Sequence, residues 1–241
     1  AYDALCRELQ SLEDTYPDAI HPLSRSKRVG APVNQKFSSV EHLRPMLSLD
    51  NAFSFEEVTA FKKRLNRLLK RDPENSIEFY TDLKIDGLSL ALTYENGFLV
   101  KGATRGDGRY GEDITENVKT IKNIPHFLTD PFPKQRFEIR GEVYLPLDAF
   151  EKLNHQQKEE KKPLFANPRN ATAGSLRQLN ASITAQRPLK FFAYDLVLDP
   201  MPYQTQQDVV HAISSWGFEI IAQSCLSQSD KKLIDFYKHI L

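Results

Sequence analysis

The sequence predicts a mixed α/β (α+β) fold in which antiparallel sheets are flanked by helices. Three observations carry that expectation. The run IEFYTDLKIDGLSLALTYENGFLVKGATRGDG (Ile77–Gly108) is rich in strand formers and is split by Asn96-Gly97. Asn-Gly is the strongest short hairpin signal, because both residues accept positive φ. Helical stripes lie on both sides of this run, and further strand patterns recur between helices towards the C-terminus.

Each element has its own reason. Leu5, Leu9 and Leu12 keep helical spacing and predict a helix to about Glu13. Residues 15–45 carry Pro17, Pro22, Pro32 and Pro45 with little periodicity, and read as a linker with short elements. SFEE (Ser54–Glu57) is a capping box, in which a hydroxyl and a carboxylate satisfy orphan N–H groups at a helix start. Val58, Phe61, Leu65, Leu68 and Leu69 then form the apolar stripe of a helix to about Lys70. DLKIDGLSL (Asp82–Leu90) reads as a strand with Asp82, Lys84 and Asp86 on one face. Residues 113–121 predict a short helix, and RFEIRGEVYL (Arg136–Leu145) an alternating strand. Helices follow over 147–160 and 171–179, then LKFFAYDLVL (Leu189–Leu198), a strand buried on both faces. Helices over 205–216 and 229–240 enclose a short strand at Phe218–Ala222. The chain opens inside a helical pattern without a methionine and stops after a helix, so it reads as an excised piece with a strand still to come.

Of the 241 residues, 40% are hydrophobic and 27% charged, which permits a packed core. Lysine plus arginine equals aspartate plus glutamate, 32 of each, so no global field draws the chain to nucleic acid or an anionic membrane. Any nucleic-acid contact must come from a local patch or from chain that is not present here. Two cysteines, Cys6 and Cys225, exclude a disulfide framework and a four-cysteine zinc site, and suit a reducing cytosol. No apolar run approaches the roughly 20 residues of a spanning helix, and no signal-peptide pattern is visible.

Four motifs can carry chemistry. Lys84 stands between two carboxylates; as a nucleophile it would need a cation nearby to offset them, and the plain alternative is an exposed charged triad. Gly87 hints at a backbone passing close to a ligand. In EIRGEV, Glu138, Arg140 and Glu142 share one face while Ile139 and Val143 take the other; such a face is usually solvated, or it lines a polar cleft in which Glu142 binds ribose hydroxyls or a metal. In ATRGDGRYGED, the glycines at 106, 108 and 111 make a tight turn, or let Arg105 and backbone N–H groups approach a phosphate. In FANPRNATAGSLRQLN, Arg169 just before a predicted helix and Arg177 within it can form a local phosphate site, or be surface residues. The six histidines show no metal-ligand spacing and receive no role. Trp216 reads as core.

Lys84-Ile85-Asp86-Gly87 resembles the KxDG motif of covalent nucleotidyltransferases. Together with PMLSLDNAF upstream, ATRGDGRYGEDITENVKTI, EIRGEVYLP and FANPRNATAGSLRQLN, it resembles the bacterial NAD+-dependent DNA ligases over nearly the whole chain. The resemblance implies an ATP-grasp-like nucleotidyltransferase (adenylation) domain over 38–241, C-terminally truncated, and a helical remnant of a nicotinamide mononucleotide-binding subdomain over 1–37. It implies that Lys84 attacks the α-phosphorus of NAD+ to form lysyl-AMP. It also implies that Arg105, Glu142, Ser48, Leu49, Asp82 and Asp86 surround the nucleotide, that Tyr2 and Asp3 grip its nicotinamide half, and that Arg169 and Arg177 touch DNA phosphates. Mg2+ is the implied metal; zinc is expected only in a C-terminal part absent here. The implied partner besides NAD+ is nicked double-stranded DNA, mainly through the full-length protein, in bacterial cytoplasm at the nucleoid, in replication and repair.

Three departures from the family pattern stand out. Asp82 replaces the usual glutamate two residues before the nucleophile. The Tyr/Asp motif is cut in half at Ala1. The later lysine motifs, which contact the AMP phosphate, are missing, so the chain is expected to bind nucleotide but to self-adenylate weakly. The alternatives are an ATP-dependent RNA or DNA ligase relative and a non-catalytic nucleotide-binding module.

Overall fold

A computed structural model describes residues 2–17, 37–70 and 77–240. In chain order it runs α1 (Tyr2–Thr15), β1 (Ser39–Glu41), α2 (Phe55–Leu68), β2 (Phe79–Asp82), β3 (Leu88–Glu95), β4 (Phe98–Thr104), β5 (Tyr110–Glu112) and α3 (Thr115–Val118). The second half holds β6 (Phe137–Tyr144), α4 (Leu147–Glu159), α5 (Pro168–Leu176), α6 (Ala181–Ala185), β7 (Lys190–Val197), α7 (Gln206–Ser215), β8 (Ser224–Ser227) and α8 (Asp230–Ile240). The fold is mixed α/β with antiparallel sheets and flanking helices, as the sequence predicts.

A four-stranded antiparallel sheet in the order β4-β3-β6-β7 is the frame. β3 and β4 turn at Asn96 and Gly97, with φ of 51° and 81°, the positive-φ pair such a hairpin requires. One face of the sheet is dry. Leu90, Leu92 and Tyr94 of β3 pack there with Phe137, Ile139 and Val143 of β6, Phe191 of β7, and Trp216 and Phe218 beyond α7. Full burial of such a side chain contributes about 1.5–3 kcal/mol. The polar tips of the two largest are satisfied: Trp216 Nε1–H donates to the Pro131 carbonyl at 2.7 Å, and the Tyr94 hydroxyl to that of Pro125 at 2.5 Å.

The opposite face carries charge. The β3–β6 register sets Ser89 against Glu142, Ala91 against Arg140 and Thr93 against Glu138. Glu138, Arg140 and Glu142 do share a face, but that face is not solvated: all three are buried. Residues 43–45 run across it. The Leu43 N–H donates to Glu138 Oε1 at 2.8 Å, and the Arg140 guanidinium donates to the carbonyls of Pro45 (3.2 Å) and Arg44 and pairs with Glu138 at 3.2 Å. These bonds offset much of the cost of burying the pair, while the Arg140 Nε–H is buried without a partner among the described residues.

Two small antiparallel sheets, β1–β5 and β2–β8, complete the strands. Beside β2–β8, α2 and α8 meet through the Phe55–Tyr237 edge-to-face contact and the Lys62–Asp230 ion pair, while Phe61 lies against Phe79.

Several expectations are corrected. Asp82–Leu90 is not one strand: β2 ends at Asp82, β3 begins at Leu88, and the two belong to different sheets. Asp82 therefore ends β2, while Lys84 and Asp86 lie at a crossing between sheets, so the three do not share one strand face. The short strand expected at 218–222 is a single parallel bridge, Ala193 to Ile220; the strand itself is β8, which pairs with β2. The helix expected over 171–179 begins at Pro168, because the Asn167 side chain caps it by accepting the Asn170 N–H and Pro168 needs no partner for its nitrogen. Arg169 is thus inside α5 and Arg177 just past it, the reverse of the expectation. Within 15–45, β1 is a strand; residues 18–36 of that span lie outside the described residues.

Gly141 lies so close to β7 that an added Cβ would sit 2.2 Å from Phe191 Cζ and 2.3 Å from the Phe192 carbonyl oxygen. Gly141→Ala is expected to lower unfolding stability by about 3 kcal/mol, the upper range for overpacking, measured by urea denaturation.

Candidate functional site

The site is built where the chain crosses from β2 to β3. There the backbone of Gly87 meets β6 so closely that a Cβ would sit 2.0 Å from the Val143 carbonyl oxygen. Only glycine permits that approach. The Gly87 N–H donates to Glu142 Oε1 at 3.2 Å, and the Ser89 hydroxyl donates to Glu142 Oε2 at 2.7 Å. One carboxylate thus ties the crossing segment to the central sheet. Burial pushes the Glu142 carboxyl above the ordinary glutamate range; the Ser89 hydrogen bond, the Lys84 charge, the Gly87 N–H and the Arg169 charge oppose that shift.

Lys84 is exposed and makes no ion pair or hydrogen bond among the described residues, while its positive charge acts on Glu142. Asp86, expected to flank it as a carboxylate partner, pairs instead with Arg169 of α5 at 3.3 Å. Asp82 is an exposed residue, yet crowding around its carboxyl costs hydration and raises its pKa, opposed by its own backbone. On one side Lys84 borders a cavity of about 760 Å³, formed by the 81–86 segment, the start of α2 and the apolar side chains Phe236 and Tyr237 of α8.

Arg105 follows β4. Thr104 pairs with Leu90, so the next register position lies beside Ser89 and brings the Arg105 backbone to the Glu142 end of the sheet. The Arg105–Tyr110 turn is closed by its own groups: the Gly108 N–H donates to the Arg105 carbonyl (3.0 Å), and Asp107 accepts the Arg109 and Tyr110 N–H groups at 2.9 and 2.7 Å. Those hydrogen bonds, that of Tyr110 above all, hold the Asp107 carboxyl below the usual range. His42 was assigned no role by sequence. It is buried, and its Nε2–H donates to the Arg105 carbonyl at 3.1 Å. The Met46 N–H reaches the Gly108 carbonyl at 2.7 Å. Segment 42–46 therefore clamps the Arg105 turn while it covers Glu138 and Arg140. It leads directly to Ser48 and Leu49, both exposed, Leu49 at 78%.

The structure thus gathers Lys84, Asp82, Asp86, Glu142 and Arg169 at one crossing, with Arg105 one register position away. Arg177 stands apart and pairs with the buried Glu112 at 2.5 Å. Tyr2 and Asp3 open α1, and their side chains lie outside the described residues. Sequence reasoning missed Ser89, His42 and Tyr194, whose half-buried phenol on β7 is pushed up chiefly by burial and then by the Glu142 charge. Among the described residues no group of three or more His, Cys, Asp or Glu side chains can hold a metal, and no helix is long and apolar enough to cross a membrane.

Two outcomes follow from this geometry. Arg140→Met leaves Glu138 buried without its cation and is expected to cost about 3–5 kcal/mol in denaturant unfolding. Glu142 has a folded-state pKa above its unfolded one, so its contribution to stability is complete below the ordinary glutamate range and is lost as pH rises through the folded value. The stability of the wild type relative to Glu142→Gln should therefore fall in thermal melts as the pH rises above the ordinary glutamate range.

The sequence profile of the NAD-dependent DNA ligase adenylation domain matches residues 34–241. The DNA ligase of Chelativorans sp. is 48% identical over 240 residues, 99% of this chain and 34% of that protein. The DNA ligase of Carboxydothermus hydrogenoformans is 50% identical over 220 residues, 91% of this chain and 32% of that protein. That of Pseudothermotoga lettingae is 48% identical over 239 residues, 98% and 34%. The chain spans about a third of the length of these curated relatives. Its motifs, its fold and these matches agree: the chain belongs to the family of NAD-dependent DNA ligase adenylation domains.

Proposed function

We propose that the chain performs the adenylation step of DNA nick sealing. The neutral Nζ of Lys84 attacks the α-phosphorus of NAD+. A P–N bond forms, the bond from that phosphorus to the bridging oxygen breaks, nicotinamide mononucleotide departs with the oxygen, and the amine sheds its proton. In the whole protein, AMP then passes to the 5′-phosphate of nicked DNA and the 3′-hydroxyl displaces it. The observation that carries the reading is the Gly87–Glu142–Ser89 anchor, which fixes the segment bearing an amine without an ion pair among the described residues beside a buried carboxylate.

The remaining roles are proposals of the same kind. Glu142 accepts ribose hydroxyls, Arg105 steadies phosphate, and Ser48, Leu49, Asp82 and Asp86 border the nucleotide. Residues 1–37, with Tyr2 and Asp3, take the nicotinamide half, and 38–241 form the nucleotidyltransferase domain. Arg169 meets DNA phosphate by exchanging its exposed Asp86 partner; a pair this exposed is worth only about 0–1 kcal/mol, so the exchange is cheap. Arg177 must leave Glu112 to do the same. Mg2+ would supply charge neutralisation at the phosphates, held mostly by the ligand's own oxygens and water. The setting is bacterial cytoplasm at the nucleoid.

Incubation with NAD+ and Mg2+, followed by peptide mass spectrometry, tests the step within a full-length ligase; this chain alone is expected to form the adduct only weakly. An AMP adduct on Lys84 that forms with NAD+ and not with ATP, and is lost in Lys84→Ala, is the expected result. An adduct on another residue, or one retained in Lys84→Ala, contradicts it.

A further inference from the structure

We propose that Ser89 is a positioning residue that orients the Glu142 carboxylate to receive a ribose diol. The inference rests on the reading of Glu142 as the ribose acceptor and adds what makes that reading work.

Ser89 and Glu142 are register partners on β3 and β6, so the strand pairing itself brings hydroxyl and carboxylate together. An ionised carboxylate offers about four acceptor positions on its two oxygens. Gly87 N–H fills one on Oε1 and Ser89 Oγ–H one on Oε2. Each oxygen is thereby pinned once and keeps capacity for one more donor, a pattern suited to adjacent hydroxyls. Of the two anchors the Ser89 bond is shorter, at 2.7 Å against 3.2 Å. Without it the carboxylate keeps a single longer hydrogen bond and can rotate about its last torsion.

The charged and titratable groups facing Glu142 are Lys84 from the crossing segment, Arg169 from α5 and Tyr194 from β7. The two cations favour the ionised carboxylate and the apolar surroundings disfavour it. Ser89 stands with the cations, because its hydroxyl binds the charged form. Removing that hydroxyl should let the carboxyl protonate at higher pH and loosen its aim at neutral pH.

The test uses the whole chain and two readouts. The Gly87 amide, hydrogen-bonded to Glu142, reports the titration of that carboxyl in 15N NMR spectra. Ser89→Ala is expected to raise its midpoint by on the order of one pH unit, since a hydrogen bond to a charged group is worth about 1.5–3 kcal/mol. Ser89→Thr, which keeps the hydroxyl, should hold the midpoint near that of the wild type. The preference for adenosine over 2′,3′-dideoxyadenosine, measured by calorimetry, should fall roughly tenfold in Ser89→Ala. A Gly87 midpoint and a ribose preference both unchanged in Ser89→Ala overturn the inference. Glu142→Gln separates it from the underlying reading. If that variant keeps the ribose preference, Glu142 is not the ribose acceptor. If it loses the preference while Ser89→Ala retains it, only the role of Ser89 fails.

Discussion

The close passage of Gly87 over β6 is the constraint on which the site depends. A chain leaving one sheet for another must cross somewhere, and here it crosses with no room for a side chain against the Val143 carbonyl. That contact sets the height of the 83–86 segment above the central sheet, and Glu142 sets its lateral position through the Gly87 N–H. Lys84, three residues before the contact, is held by backbone geometry and, among the described residues, by no ion pair of its own. Of the two carboxylates that flank it in sequence, Asp86 is taken by Arg169.

The second organising feature is segment 42–46, which performs two tasks at once. On one side it covers the buried Glu138–Arg140 pair, whose hydrogen bonds end on its backbone. On the other it grips the Arg105 turn through the His42 side chain and the Met46 N–H. It then delivers Ser48 and Leu49 to the surface. The charged face of β6 is thus the fastening that joins Arg105 and the 48–49 pair to the same sheet that carries Glu142. A buried ion pair adds little net stability against an apolar replacement; its worth here is in fixing one path for the covering chain.

Much of this was legible in the sequence. The Asn96-Gly97 hairpin, the capping box at Ser54, the alternation in β6 and the core role of Trp216 follow from local chemistry, and the structure agrees on each. Glu142 stands out in the sequence as a carboxylate on an alternating strand beside a glycine, and the structure ties it to Gly87 and Ser89. The reading of Asp82–Leu90 as one strand failed because its alternating charges imitate a strand face; the break comes where Gly87 meets β6, which is tertiary. His42 and Ser89 escaped notice for a related reason. Each acts through one hydrogen bond to a residue more than fifty positions away, and neither the spacing nor the composition around them marks that partner.

We propose that the Gly87 anchor aims Lys84 into a nucleotide cleft on the Glu142 side of the crossing segment. A crystal structure with bound NAD+ is the direct test. The expected result is the Lys84 nitrogen about 3–3.5 Å from the α-phosphorus, a near-attack separation, with both ribose hydroxyls on Glu142. A nucleotide seated instead in the apolar cavity between α2 and α8, or a lysine turned away from the phosphorus with Glu142 unengaged, would contradict it.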